Sequence, residues 1–339
     1  MKVLYAIQGT GNGHLSRAKH IIPILQKKNI ELDLLVSGIQ ADIKLSHEVK
    51  YRFKGLSFIF GKKGGVDVWK TYLKTNTKRI QKEIKSLPVQ NYDLVINDFE
   101  PISAWACKLA KVPCVGFSHQ AAVLSLNAPK PKKPDVLGRF ILKKYAPTAK
   151  QIGLHFASFD TSIFTPIIRN DIRNAVIENK NHYTVYLPSY SDKKLLKFLS
   201  KIEHVEWQVF SKHNKKEITK KGITIRPITN ALFVKSMASS AGVLCGAGFE
   251  TPAEALFLQK KLLVIPMKGQ YEQQCNAAAL KQMGVPVLKS LKQKHVSALK
   301  KWVASNDRVH VNYPEQTEQL IDQLLHEYGK LITNEQAFS

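Results

Sequence analysis

Short apolar runs rich in β-branched residues alternate along this chain with longer segments whose apolar positions recur at helical spacing. The first unit is an apolar run over 3–7, a helical stretch over 14–28 and a second run over 32–36. Such alternation predicts βαβ units and a parallel sheet. It continues with a strand over 94–97, a helix over 102–110, a strand over 114–117 and a last strand over 152–156. From 159 to 173 the pattern lapses into Asp160, Thr161, Thr165, Pro166 and alternating charge, the composition of a connector. The rhythm then restarts. Strands are expected over 183–187, 205–210, 223–225, 243–245, 262–265 and 285–288, with helices over 193–201, 250–258 and 273–283.

The pattern therefore predicts an α/β protein with two similar doubly wound domains, 1–165 and 166–314, facing a central cleft. A closing segment, 315–339, carries Leu320, Ile321, Leu324, Leu325 and Tyr328 at helical spacing. It should form an amphipathic helix over 315–331 whose apolar stripe crosses back to the first domain. A length of 339 residues suits two domains, and 44% hydrophobic with 23% charged residues is the composition of a globular protein. Three prolines in 127–134 suggest a mobile loop.

Cys107, Cys114, Cys245 and Cys275 show no C-x-x-C pair and no zinc spacing, so they read as reduced, buried thiols. The apolar run at 3–7 is too short for a signal peptide, and no run approaches the ~20 residues of a spanning helix. A cytoplasmic chain is expected, with a membrane surface as one resting place. Charge adds to this picture. Lys and Arg number 51 against 26 Asp and Glu, a net charge of +25 that favours an acidic partner: nucleic acid, anionic lipid or a phosphorylated substrate.

The run at 3–7 breaks directly into Gly9-Thr10-Gly11-Asn12-Gly13-His14. Glycines after a strand permit a tight turn and close approach of backbone to ligand, and the helix that follows offers free N–H groups to an anion. Gly11, Asn12 and Gly13 are thus candidates for a phosphate or acceptor loop. The string is not a dinucleotide fingerprint, which would place glycine at Ser16. His14 stands at the carboxyl end of the first strand, where open parallel sheets bind ligands. A histidine, with an ordinary pKa of about 6.5, can take a proton from an attacking hydroxyl; a helix-capping or solvated histidine is the plain alternative. Asp98 and Glu100 follow the strand at 94–97. A carboxylate on the far nitrogen of His14 would orient it, and Asp98 is the choice of the two, although either acid could instead cap the helix near Pro101.

In the second half, Gly246-Ala247-Gly248-Phe249-Glu250-Thr251-Pro252-Ala253-Glu254 follows the strand at 243–245. A glycine loop feeding a helix start makes an anion pocket suited to a diphosphate, and a carboxylate one turn inside can accept ribose hydroxyls. An acidic first turn that only complements the helix dipole is the alternative. After the strand at 262–265 come Glu272 and Gln273, an adjacent acid and amide able to read sugar hydroxyls, or else an ordinary polar helix start. There is no Asp-x-Asp pair, H-E-x-x-H motif or GxxxxGK[ST] loop, so neither a metal-bridged diphosphate nor nucleotide hydrolysis is indicated.

Taken together, Gly9 to His14, the string Gly248-Phe249-Glu250-Thr251-Pro252-Ala253-Glu254-Ala255-Leu256 and the pattern Glu272-Gln273-x-x-Asn276-Ala277 resemble the GT-B nucleotide-sugar glycosyltransferases. The likeness is strongest to the group holding the cell-wall lipid N-acetylglucosaminyltransferases and the glucuronosyl and plant glucosyl transferases. It implies two Rossmann-like domains, a UDP-sugar or similar donor in the second and an acceptor in the first, and metal-free inversion at the anomeric carbon. No cofactor is implied, since the donor is a substrate. By that likeness His14 is the general base and Asp98 its orienting partner. Glu254 holds the ribose, Gly246, Gly248 and Thr251 the diphosphate, and Glu272 with Gln273 the donor sugar. Ile228 and Phe233 fall where the base is held, and Ser189 is a further phosphate contact. Glu272 stands where an aspartate is common in the plant and glucuronosyl branch.

The acceptor is a hydroxyl compound, lipid or glycan, received by loops at 55–67 and 121–134. Residues 130–144, with Phe140, Ile141 and Leu142, are the segment that would enter an anionic membrane. Two other readings stand beside this one: a nucleotide-sugar epimerase of the same fold, and a basic polyanion-binding protein. Specific nucleic-acid binding is not expected, because no recognition helix or stacking motif accompanies the charge.

Overall fold

A computed structural model of the chain describes residues 1–38, 45–56 and 76–329. The first half is a seven-stranded sheet of β1 (Lys2–Gln8), β2 (Glu31–Ser37), β3 (Tyr51–Phe53), β4 (Leu94–Asp98), β5 (Cys114–Ser118), β6 (Lys150–Leu154) and β7 (Ile163–Phe164). Its spatial order is β3-β2-β1-β4-β5-β6-β7, and every pairing is parallel. Residues 3–8 of β1 are buried without alternation, as a central strand covered on both faces requires. The second half is a six-stranded sheet of β8 (His182–Tyr186), β9 (Glu206–Ser211), β10 (Ile218–Lys220), β11 (Ile223–Pro227), β12 (Gly242–Gly246) and β13 (Lys261–Ile265). It is ordered β10-β11-β9-β8-β12-β13, parallel except for the hairpin edge β10–β11.

Strand order reverses in the first sheet between β1 and β4, and in the second between β8 and β12. Crossover connections diverge at these two points and leave crevices at the carboxyl ends of the strands. The glycine-rich turn after β1, the end of β4 and the glycine turn after β12 all fall there. An apolar core runs across both halves, joining Ile7, Leu15, Phe117 and Phe156 to Phe210, Val243, Phe249 and Ala253. The last helix, Thr317–Gly329, packs on the helix Asn12–Gln26. Lys28 pairs there with Glu318 and Asp322, and Gln316 bonds Thr165.

Some elements differ from expectation. The run at 285–288 reaches β13 only through a Val264–Val287 bridge, because Pro286 has no N–H to give a ladder. Ile163 and Phe164, inside the expected connector, form the edge of the first sheet. In the helix Val136–Tyr145, Leu142 is buried against Phe99, Tyr145 and Tyr271, so it is not available to enter a membrane; Val136, Leu137 and Phe140 are the exposed apolar residues of that helix. All four cysteines are free and buried. Residues 57–67 of the expected acceptor loop and 330–331 of the expected last helix lie outside the described residues.

Candidate active site

A cavity of about 770 Å³ opens between the two halves at the carboxyl ends of both sheets. Gly11, Asn12, Gly13 and His14 line it from the first half, and Ile228, Phe233, Gly248, Thr251, Glu254, Glu272 and Gln273 line it from the second. Three of the expected residues are not in its wall. Ser189 follows Pro188, which is, and Gly246 lies behind Gln273 at the end of β12. Asp98 is wholly buried behind His14.

The end of β4 shows how the local sequence places that carboxylate. Phe99 adopts φ 56, a left-handed conformation uncommon for a side chain of its size. The resulting reversal sends Asp98 toward the helix Asn12–Gln26 and Glu100 toward the helix Pro101–Ala110. Glu100 caps that helix, accepting from the N–H groups of Ile102 and Ser103 at 2.7 and 2.6 Å, and Ser37 donates to it. The capping alternative thus belongs to Glu100, leaving Asp98 for another partner. Asp98 Oδ1 lies 2.8 Å from His14 Nδ1, and Phe99 stacks on the imidazole with ring centroids 6.4 Å apart. The far nitrogen, Nε2, is 3.4 Å from the amide nitrogen of Gln120.

Arg17, one helical turn after His14, was not anticipated. Its Nη2 donates to both oxygens of Asp98, at 2.6 and 2.8 Å, and its Nη1 donates to Glu250 across the cleft. Burial alone would raise the Asp98 carboxyl, but Arg17 and His14 hold it below the usual carboxylate range. Burial pushes Glu250 up to about 7 despite the guanidinium, with Glu254 and Asp98 adding to the rise. A depressed carboxylate contributes stability that is present above its unfolded pKa, about 3.9, and is lost as pH falls through its lower folded value. The advantage in Tm of wild type over Asp98→Asn should therefore narrow as thermal melts are taken from pH 6 down to pH 3. A constant gap across that range would show that the pair contributes nothing.

On the second half, the helix Glu250–Phe257 begins without a side-chain cap, so the N–H groups of its first turn stand at the cavity wall with no side-chain acceptor. A Cβ on Gly248 would meet no atom within 4 Å, which keeps that approach open. Glu254 is held by Arg169 of the interdomain segment, Nε to Oε1 at 2.6 Å and Nη2 to Oε2 at 3.3 Å. Glu254 outweighs the effect of burial on Arg169 and holds its guanidinium above its ordinary value. Gln273 Oε1 accepts from the N–H of Met267 at 2.9 Å, and Glu272 Oε2 accepts from Gln120 at 3.0 Å. His119 also ties the halves together. It stacks on Phe249 at 4.0 Å and places Nε2 2.7 Å from Asn276 Oδ1. Burial pushes its pKa down. Among the described residues no group of three or more His, Cys, Asp or Glu could hold a metal ion.

Two parallel-sheet domains facing a cleft, with a glycine turn at each switch point, constitute the GT-B fold of glycosyltransferases. Residues 1–305 match the family model described as Glycosyl transferase family 1, and the chain belongs to that family and is a glycosyltransferase. Solved structures agree on the fold. The glycotransferase of kitacinnamycin superposes with a TM-score of 0.59 at 9% identity, covering 96% of this chain and 98% of that one. Arabidopsis thaliana UGT89C1, complexed with UDP, gives 0.59 at 12% over 98% of each chain. Acinetobacter baumannii MurG gives 0.54 at 13% over 95% and 99%. No curated protein sequence matches the chain.

Proposed function

We propose that the chain moves a hexose or N-acetylhexosamine from a nucleoside diphosphate sugar, UDP-linked, to a hydroxyl acceptor, inverting the anomeric carbon without a metal. The observation that carries this reading is His14, set by a buried carboxylate on the cavity wall, with the uncapped helix start of Glu250–Phe257 also in that wall. The Nδ1 proton rests on Asp98, which leaves the Nε2 lone pair as the basic site. In the reaction the acceptor oxygen bonds the anomeric carbon as its proton passes to Nε2. The bond from that carbon to the diphosphate oxygen breaks, and its electron pair leaves with the nucleoside diphosphate. N–H groups of Gly248 to Thr251, at and just before the helix start, meet the developing charge. Glu254 accepts the ribose hydroxyls, Glu272 and Gln273 read the sugar, and Ile228 with Phe233 flank the base.

UDP is placed first among donors because UGT89C1, similar in fold, is complexed with UDP. Calorimetry with UDP, GDP and dTDP in the presence of EDTA tests the reading. UDP should bind most tightly and without metal. No binding by any of the three would sink it, and binding that appears only with added divalent cation would remove the metal-free part.

A further inference from the structure

We propose that Arg17 is a positioning residue for His14: by engaging both oxygens of Asp98 it keeps the imidazole free to accept a proton, and through Glu250 it ties that state to the donor half. The inference rests on His14 being the base. Arg17 lies three residues after His14, on the same helical face, and its side chain is 2% exposed. Asp98 Oδ1 accepts from both His14 and Arg17, while Oδ2 accepts from Arg17 as well. A buried carboxylate whose only partner is a histidine favours the charged imidazolium, and an imidazolium cannot act as a base. A guanidinium on the same carboxylate offsets that pull and also fixes the plane of the carboxylate against Nδ1.

The other groups around His14 make the offset necessary. Tyr5, buried under the same cluster, interacts with Asp98, Arg17 and Glu250. Glu250 approaches from the helix Glu250–Phe257, while Glu254 one turn further on is engaged by Arg169. Glu272 is reached through Gln120, and His119 lies on the adjoining helix His119–Leu124. Asp98 in direct contact with the imidazole and Glu250 close to it both favour the imidazolium, and a cation set between these two acids opposes them. Arg17 is that cation. The link to Glu250 crosses from one half to the other, and Gly13 keeps it short: a Cβ there would come within 3.2 Å of Glu250 Cγ. Separation of the halves would withdraw Glu250 and leave Arg17 wholly to Asp98. Cleft position and base strength are therefore coupled.

The test is a pH titration of the His14 ring by 1H–15N correlation spectroscopy, its signal identified by loss in His14→Gln. In Arg17→Met the midpoint should move up by about 1–3 pH units. Arg17→Lys keeps the charge, so its midpoint should stay near wild type while the two-pronged hold on Asp98 is lost. Glu250→Gln should move the midpoint the other way. A midpoint unchanged in Arg17→Met overturns the proposal, as does Arg17→Lys behaving like Arg17→Met. If Arg17→Met does not fold, as judged by circular dichroism, the opposite shift in Glu250→Gln decides, and its absence counts against the proposal. UDP-sugar turnover by His14→Ala separates this from the assignment of the base. Retained turnover removes the base and leaves the titration result standing; lost turnover with no Arg17 effect removes only the positioning role.

Discussion

Substitution of His14 by alanine should lower transfer by about 10²–10⁴-fold, the usual contribution of a general base, with UDP affinity within about twofold of wild type. The two readouts separate because the groups proposed to hold the nucleotide lie on the other half of the molecule. The imidazole is only partly buried, so its removal leaves a gap that water can fill rather than a hole in the core. The variant should also lose the acid limb of the kcat/KM profile. Release of UDP from a UDP-sugar and calorimetry on the same preparation check both parts. A variant that turns over at the wild-type rate excludes His14 as the base, and one that no longer binds UDP would make the residue structural.

Glu254→Ala should weaken UDP binding by about 30–4,000-fold, because breaking a buried hydrogen-bonded charge pair costs about 2–5 kcal/mol and tenfold corresponds to about 1.4 kcal/mol. Two losses combine. The ribose gives up an acceptor, and Arg169 is left with Asn230 as its hydrogen-bonded partner and the more distant Asp171 as its remaining acid. Comparing UDP with 2′-deoxy-UDP distinguishes them. Wild type should prefer UDP, whereas the alanine variant should bind both nucleotides alike. If the preference survives the substitution, Glu254 serves Arg169 and not the ribose.

How much of this could be read before the structure depended on the distance between partners. Central strands were legible because each is a short β-branched run, whereas β3 and β7 hold three and two residues and carry no period to detect. Val285 to Leu288 misled because an apolar run reads as a strand even with Pro286 inside it. Strand-end logic led to His14 and Glu254, which line the cavity, and to Asp98, which bonds His14, since a doubly wound sheet leaves its crevice at carboxyl ends. Arg17 was within reach of the same logic through its i, i+3 relation to His14. Arg169 and His119 were not, because their partners lie 85 and 157 residues away and only the folded cleft brings them together. Leu142 failed as a membrane residue for a related reason: Tyr271, which helps to bury it, comes from the other half.

The helix that carries His14 and Arg17 is synthesised long before the helix that packs on it, Thr317–Gly329. Domains fold as they emerge during synthesis, at about 5–20 residues per second, so the first sheet has time to form while the second is still being made. Its helix Asn12–Gln26 nevertheless has one flank uncovered until Thr317–Gly329 arrives. A nascent chain at the ribosome can hold a finished first sheet and still lack the helix that braces the segment carrying His14. A chain cut short before Thr317 would leave that flank of the helix Asn12–Gln26 bare.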